Sequence, residues 1–111
     1  MIHAQPKPTP RIVDRIQRKR DWEAQERACR KAVRLRDQSR CRFPDCRKSS
    51  VHAHHLIYRS HGGGWQTRNI LSLCVTHHQL VHAGVLRVSG NADATPRWEL
   101  TELGKRCGQT L

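Results

Sequence analysis

Four residues in two short pairs constrain this chain more than anything else in it: Cys41 and Cys46 in 41-CRFPDC-46, and Cys74 and His77 in 74-CVTH-77. Zinc prefers four nitrogen or sulfur ligands in a tetrahedron, and each half of a structural site is usually a short knuckle of this kind. The spacing predicts a structural Zn²⁺ on Cys41, Cys46, Cys74 and His77, with the intervening chain folded back as a hairpin. Such a staple is needed, because only 36% of the 111 residues are hydrophobic and the aromatics are three Trp, one Tyr and one Phe, a thin basis for a core. The alternative, buried thiols or a disulfide, accounts less well for the pairing with His77.

The five cysteines are an odd number, they sit beside histidines, and no apolar stretch resembles a signal peptide or a membrane span. That combination points to zinc in a reducing cytoplasm rather than to a secreted disulfide framework. Cys29, inside a helical pattern, and Cys107, in the tail, read as small packing or surface residues.

The net charge of +12 is unevenly spread: residues 1–48 hold fifteen Lys/Arg against six Asp/Glu, and the remainder six against three. The amino-terminal half is therefore the expected footprint for a polyanion. No stretch shows the apolar face of an interfacial helix, so nucleic acid is the expected partner and a membrane is not. A solvated basic face that only aids solubility is the plainer alternative.

Residues 1–10, with Pro6, Pro8 and Pro10, read as a flexible leader, and His3 within it as incidental. From Arg11 to Gln38 the chain lacks Gly and Pro, and Ile12, Ile16, Trp22, Cys29, Ala32, Val33 and Leu35 recur at roughly helical spacing. This is one long helix, or two broken near Asp21 with Asp21 capping the second. Next come a strand over 51-VHAHHLIY-58, a loop over 59-RSHGGGWQTRN-69 and a strand over 70-ILSL-73. A short helix follows over 75-VTHHQLVHA-83, capped by Thr76 and stopped at Gly84, then a hairpin of 85-VLRVSG-90 and 97-RWELT-101. Gly62, Gly63 and Gly64 read as a flexible loop, and the tryptophans as core cover. Residues 11–111 form one domain with its core over 29–101.

With His77 on zinc, His78 and His82 remain, four apart and so on one helical face, about 6 Å from each other. Consecutive strand residues point to opposite faces, so His54 and His55 cannot normally bind one ion together. One should ligate and the other do something else. If His54 completes a set with His78 and His82, the ion keeps open positions, and His55 is free to act as a neutral base. His52 shares the face of His54 by alternation and reads as an exposed bystander.

The order C-x4-C, then HH, then an asparagine ahead of C-x2-H-H-x3-H resembles the HNH endonucleases. The stretches 41-CRFPDC-46, 54-HHLIYRSHGG-63, 68-RNILSLC-74 and 77-HHQLVHAG-84 look like their zinc-stapled subgroup of bacteria and phages. The resemblance implies an α+β protein of ββα-metal (His-Me finger) fold, here with an N-terminal basic helix and a C-terminal β-hairpin. It makes His54 the first ligand of a catalytic divalent metal, His55 the general base, Asn69 the central N of the name, and His78 a further ligand. His82 matches a histidine that only some members use. Many members carry Asp at the position of His54; an all-imidazole set suits Zn²⁺ or Ni²⁺, whereas carboxylate sites favour Mg²⁺ or Mn²⁺. The implied reaction is single-metal hydrolysis of DNA to 5′-phosphate and 3′-OH ends by a water that His55 activates, with Asn69 orienting the loop beside His55.

Arg59, His61 and Arg68 flank the glycine loop as weaker candidates for holding the DNA backbone. No segment carries an obvious base-reading code, so low sequence specificity is expected. The helix Arg11 to Arg36 could lie along the duplex. The chain is expected to act as a monomer or homodimer. A non-catalytic zinc-dependent DNA-binding module is the main alternative, and a redox-sensing or purely structural zinc protein the third.

Overall fold

A single uninterrupted helix, α1 (Ile12–Asp37, 26 residues), opens the fold in the computed structural model, which describes residues 11–49 and 52–108. The leader at 1–10 with His3, and Val51 at the head of VHAHHL, lie outside the described residues. The break entertained near Asp21 is absent. Instead of capping a second helix, the Asp21 carboxylate accepts from Gln17 Nε2 one turn earlier at 2.9 Å, a pairing that supports a continuous helix.

Two antiparallel hairpins and two short helices complete the architecture. Strand β1 (His52–His55) pairs with β2 (Ile70–Leu73), with His54 opposite Leu71 and His55 opposite Ile70. Helix α2 spans Val75–His82, β3 (Leu86–Ser89) pairs with β4 (Arg97–Leu100), and α3 (Glu102–Arg106) closes the described chain. The protein is thus a small mixed α+β fold. Among the described residues no helix is long and apolar enough to cross a membrane.

All four residues of β2 are buried, as a short apolar run covered on both faces must be. Ile70 packs with Cys29 and Val33 of α1, Ala53 and Trp65. Leu71 and Leu73 point the other way, into a cluster with Cys41, Cys74, Val88 and Ala92 that Phe43, Leu56 and Trp98 cover. Trp65 and Trp98 therefore serve as core cover, as expected, whereas Trp22 joins neither cluster and lies under the Arg59 guanidinium.

Only the second half of α1 shares that core. Ile12, Val13 and Leu35 are 73%, 70% and 73% exposed, contrary to the apolar periodicity of the sequence. Leu35, about 200° of helical rotation from the buried Val33, faces away from the domain; for Ile12 and Val13 the cause is length, since a 26-residue helix runs about 39 Å, whereas a four-residue strand covers about 13 Å. The helix overhangs.

Other boundaries differ for identifiable reasons. The first strand ends at His55 rather than Tyr58, because the Ile57 N–H goes to the Asn69 side-chain Oδ1 at 2.8 Å and the chain then turns into a 3₁₀ segment at Arg59–His61. Helix α2 is capped by Cys74, whose sulfur accepts from His77 N–H at 3.5 Å, not by Thr76. Gly84, at φ +77°, ends it as expected: Val85 N–H reaches Leu80 O and Gly84 N–H reaches Val81 O, a Schellman closure. Helix α3 was not expected. Its signal was Thr101 ahead of an acidic first turn, and the Thr101 hydroxyl accepts from Gly104 N–H at 3.0 Å.

An ionic hub locks α1 to the rest. Asp37, its side chain 1% exposed, receives Arg36 through two bonds of 2.7 and 2.8 Å, Arg42 Nη1 at 2.7 Å, and Ser72 N–H at 3.3 Å. The two arginines spend their remaining donors on the carbonyls of Thr67, Ile70, Ala92 and Ala94 and on the Asp93 carboxylate. Burial would raise the Asp37 carboxyl, but the bonds from Arg36, Ser72 and Arg42 outweigh it and hold the group below its ordinary value. Removing this carboxylate takes the ion-pair partner from Arg42 and leaves Arg36 with Asp93 alone, so Asp37→Ala is expected to cost about 3–5 kcal/mol in denaturant unfolding. A carboxyl depressed in the folded state stabilises it above the unfolded value near 3.8, and loses that contribution as pH falls through the folded value. The stability gap between wild type and Asp37→Asn should accordingly be full near neutrality and shrink below about pH 4.

Candidate metal centres

The two knuckles meet. The donor atoms of Cys41, Cys46, Cys74 and His77 all lie within 4.8 Å of one another. His77 Nδ1 stands 3.4 Å from Cys41 Sγ and 3.2 Å from Cys74 Sγ. The N···S edge of a zinc tetrahedron is about 3.5 Å from ordinary bond lengths, so the donor set fits a tetrahedral ion in kind and spacing. Local chain geometry builds this cluster. Asp45, at φ +62°, and the Cys46 N–H to Phe43 O bond curl the first knuckle, an Arg40–Ser49 bridge closes its base, and Arg42 N–H pins it to Ser72 O. The His77 ring is set by Phe43, stacked at 4.0 Å and 13°, which Trp98 supports edge-on at 5.0 Å.

The thiols differ. Burial pushes Cys41 up to about 11, whereas for Cys74 the opposing effect of burial is outweighed by the His77 N–H, the neighbouring thiols and the Thr76 N–H, leaving it below its ordinary value. Cys29 is buried against Val33 and Ile70, and Cys107 is exposed; neither joins the cluster.

One residue further along α2 the chain faces a second group. The ring nitrogens of His54, His78 and His82 also lie within 4.8 Å of one another, with His78 Nε2 and His82 Nε2 2.9 Å apart. His54 is buried, and burial followed by the neighbouring rings of His78, His82 and His55 takes its pKa down to about 4. A ring held neutral offers a lone pair, which a cation needs. Among the described residues no carboxylate joins this set.

His55 points away from His54, as strand alternation requires. Its ring meets Trp65 at 4.5 Å and 74°, and its Nε2 is buried without a hydrogen-bond partner. Burial, then the charge of Arg30, lower its pKa, with Glu26 opposing. Despite the opposite facing, His55 lines the same cleft of about 170 Å³ as His54, His78, His82, Tyr58 and Arg59.

Asn69 is buried, and its side-chain hydrogen bonds go to backbone rather than to the histidines. Its Oδ1 accepts from Ile57 N–H at 2.8 Å, and its Nδ2 donates to the carbonyls of Ile57 at 3.0 Å and Gly64 at 3.1 Å. It thus clamps the loop that leaves β1 two residues after His55. Gly63 is part of the clamp: a Cβ there would overlap the Ile57 carbonyl, so this glycine is required by close packing rather than by flexibility.

The three weaker candidates diverge. The Arg59 guanidinium lies 4.2 Å over the Trp22 ring of α1 and also lines the histidine cleft. His61 is exposed and 6.4 Å from Tyr58. Arg68 lines a separate hollow with Gly62, Gly63 and Asn91.

Two residues that sequence reasoning passed over contribute to the second group. His52 is not a bystander: its ring stacks on His78 at 4.3 Å and 25°. Strand alternation with His54 was the available signal. Tyr58 lies parallel to His82 at 6.4 Å and edge-on to His54 at 6.0 Å, closing one wall. No family model, curated protein or solved structure matches this chain.

Proposed function

We propose that the chain is a zinc-stapled HNH endonuclease of ββα-metal fold that hydrolyses DNA. One observation carries the reading: three imidazoles converge on a shared point while their strand neighbour His55 forms part of the wall of the same cleft. Such a pairing of ligand set and free base is what metal-assisted hydrolysis requires.

In this reading Cys41, Cys46, Cys74 and His77 hold structural zinc, and His54, His78 and His82 hold a divalent cation. When bound, that cation supplies Lewis-acid stabilisation of the charge that grows on the phosphate. His55, neutral near pH 7, accepts a proton from water. The water oxygen bonds to phosphorus as the bond to the 3′ oxygen breaks, and that oxygen leaves as a hydroxyl on taking up a proton. Asn69 is a positioning residue, fixing the backbone that follows His55. The all-imidazole set favours Zn²⁺ or Ni²⁺ over Mg²⁺ or Mn²⁺. The partner is duplex DNA, bound through its backbone with low sequence specificity.

The test is plasmid nicking by purified protein with Mg²⁺, Mn²⁺, Ni²⁺ and Zn²⁺ in turn. Cleavage with at least one ion, leaving 5′-phosphate ends that ligase reseals, is expected. DNA that is bound yet intact with every ion would favour the non-catalytic DNA-binding module instead.

A further inference from the structure

We infer that the overhanging half of α1 is a DNA-backbone arm with a defined working face, Arg15 and Arg18, that acts together with Arg59; this rests on the DNA reading above. At about 100° per residue, Arg15, Arg18 and Trp22 fall on the same stripe as Cys29 and Val33, while Arg20 and Arg27 fall on the opposite face. The stripe that packs on the domain at its carboxyl end therefore turns basic where the domain stops.

The arm does not simply project into solvent. Arg15, Arg18, Lys19 and Trp22 line a groove of about 650 Å³ whose far wall is Arg59. Arg59, stacked on Trp22 at 4.2 Å, is also a wall of the histidine cleft. The groove and the cleft thus share one side chain as a common wall. Glu23 and Glu26 also line the groove, and Glu26 is engaged by Arg30 at 3.0 Å. At the open end the basic groups prevail. A strand whose phosphate reaches the histidines has its neighbouring phosphates beside Arg59, and then beside Arg18 and Arg15. Arginine suits this use, because its planar fork binds phosphate oxygens through two donors.

The discriminating comparison holds net charge constant. Zinc-loaded wild type, Arg15→Gln/Arg18→Gln and Arg20→Gln/Arg27→Gln are titrated onto a labelled duplex of about 25 base pairs across a salt series, without added cleavage ion. All four arginines are exposed, and thermal melts check that each variant is folded. The inner pair is expected to lower the slope of log affinity against log salt by nearly 2, about 0.9 per lost phosphate contact, and to weaken binding tenfold or more at about 0.1 M salt. The outer pair should change the slope by a few tenths. Equal losses from both pairs, or a wild type that does not bind duplex, overturn the arm. Hydrolysis of bis(p-nitrophenyl) phosphate, too small to reach the groove, is followed in separate samples with Mg²⁺, Mn²⁺, Ni²⁺ or Zn²⁺ added. Asymmetric binding without hydrolysis sustains the arm and removes the nuclease reading; hydrolysis with symmetric binding does the reverse.

Discussion

Cys41→Ser is expected to lose both the tightly held zinc and the cooperative unfolding transition. A structural zinc contributes about 10–16 kcal/mol at neutral pH, comparable to or larger than the whole stability of a domain this size, about 5–15 kcal/mol. Here the contribution is hard to replace. The cluster's own cysteines, Cys41 and Cys74, are members of the larger core, and Cys46 packs against it. Metal analysis of wild type should find about one zinc per chain that resists mild chelation, and thermal unfolding should show one sharp step. Cys29→Ser is the control: this thiol is also buried but stands outside the cluster, so zinc should stay. A Cys41→Ser protein that keeps its zinc and its sharp step would remove the staple from this account.

His55→Ala is expected to lower DNA cleavage by about 10²- to 10⁴-fold, the usual contribution of a positioned general base, with binding of the second cation unchanged. His54→Ala should do the converse, losing that cation while retaining the structural zinc. The split follows from the register, in which adjacent residues of β1 face opposite ways. Because alanine at 55 also leaves a hole beside Trp65, His55→Gln serves as a second variant that keeps most of the bulk. Cation binding is read from the visible spectrum of Ni²⁺ or Co²⁺, cleavage from plasmid nicking. Normal cutting by both His55 variants would assign the base elsewhere.

Both donor sets were legible in the sequence because helices and strands place side chains at fixed offsets. The four-residue step from His78 to His82, the two-residue gap from Cys74 to His77 and the alternation of His54 with His55 need no knowledge of distant chain. Bounds of β2 and the Gly84 stop were legible for the same reason. What escaped depends on how elements meet. His52 looked idle until α2 brought His78 beneath it. Asp37 lies four residues after Val33 on the buried face, yet its role comes from Arg42, Ser72 and the carbonyls around residues 92–94. The exposure of Ile12 and Val13 reflects a mismatch of lengths between helix and strand, which no local pattern reports.

His77 and His78 are consecutive residues of one eight-residue helix, yet each belongs to a different donor cluster. Their side chains diverge by about 100° of helical rotation, so whatever orients the first cluster also dials in the second. The two coordination spheres share a single rotational degree of freedom. A one-residue insertion between Cys74 and His82 would spin one cluster out of register whichever end it spared, so this segment can change its letters but not its length.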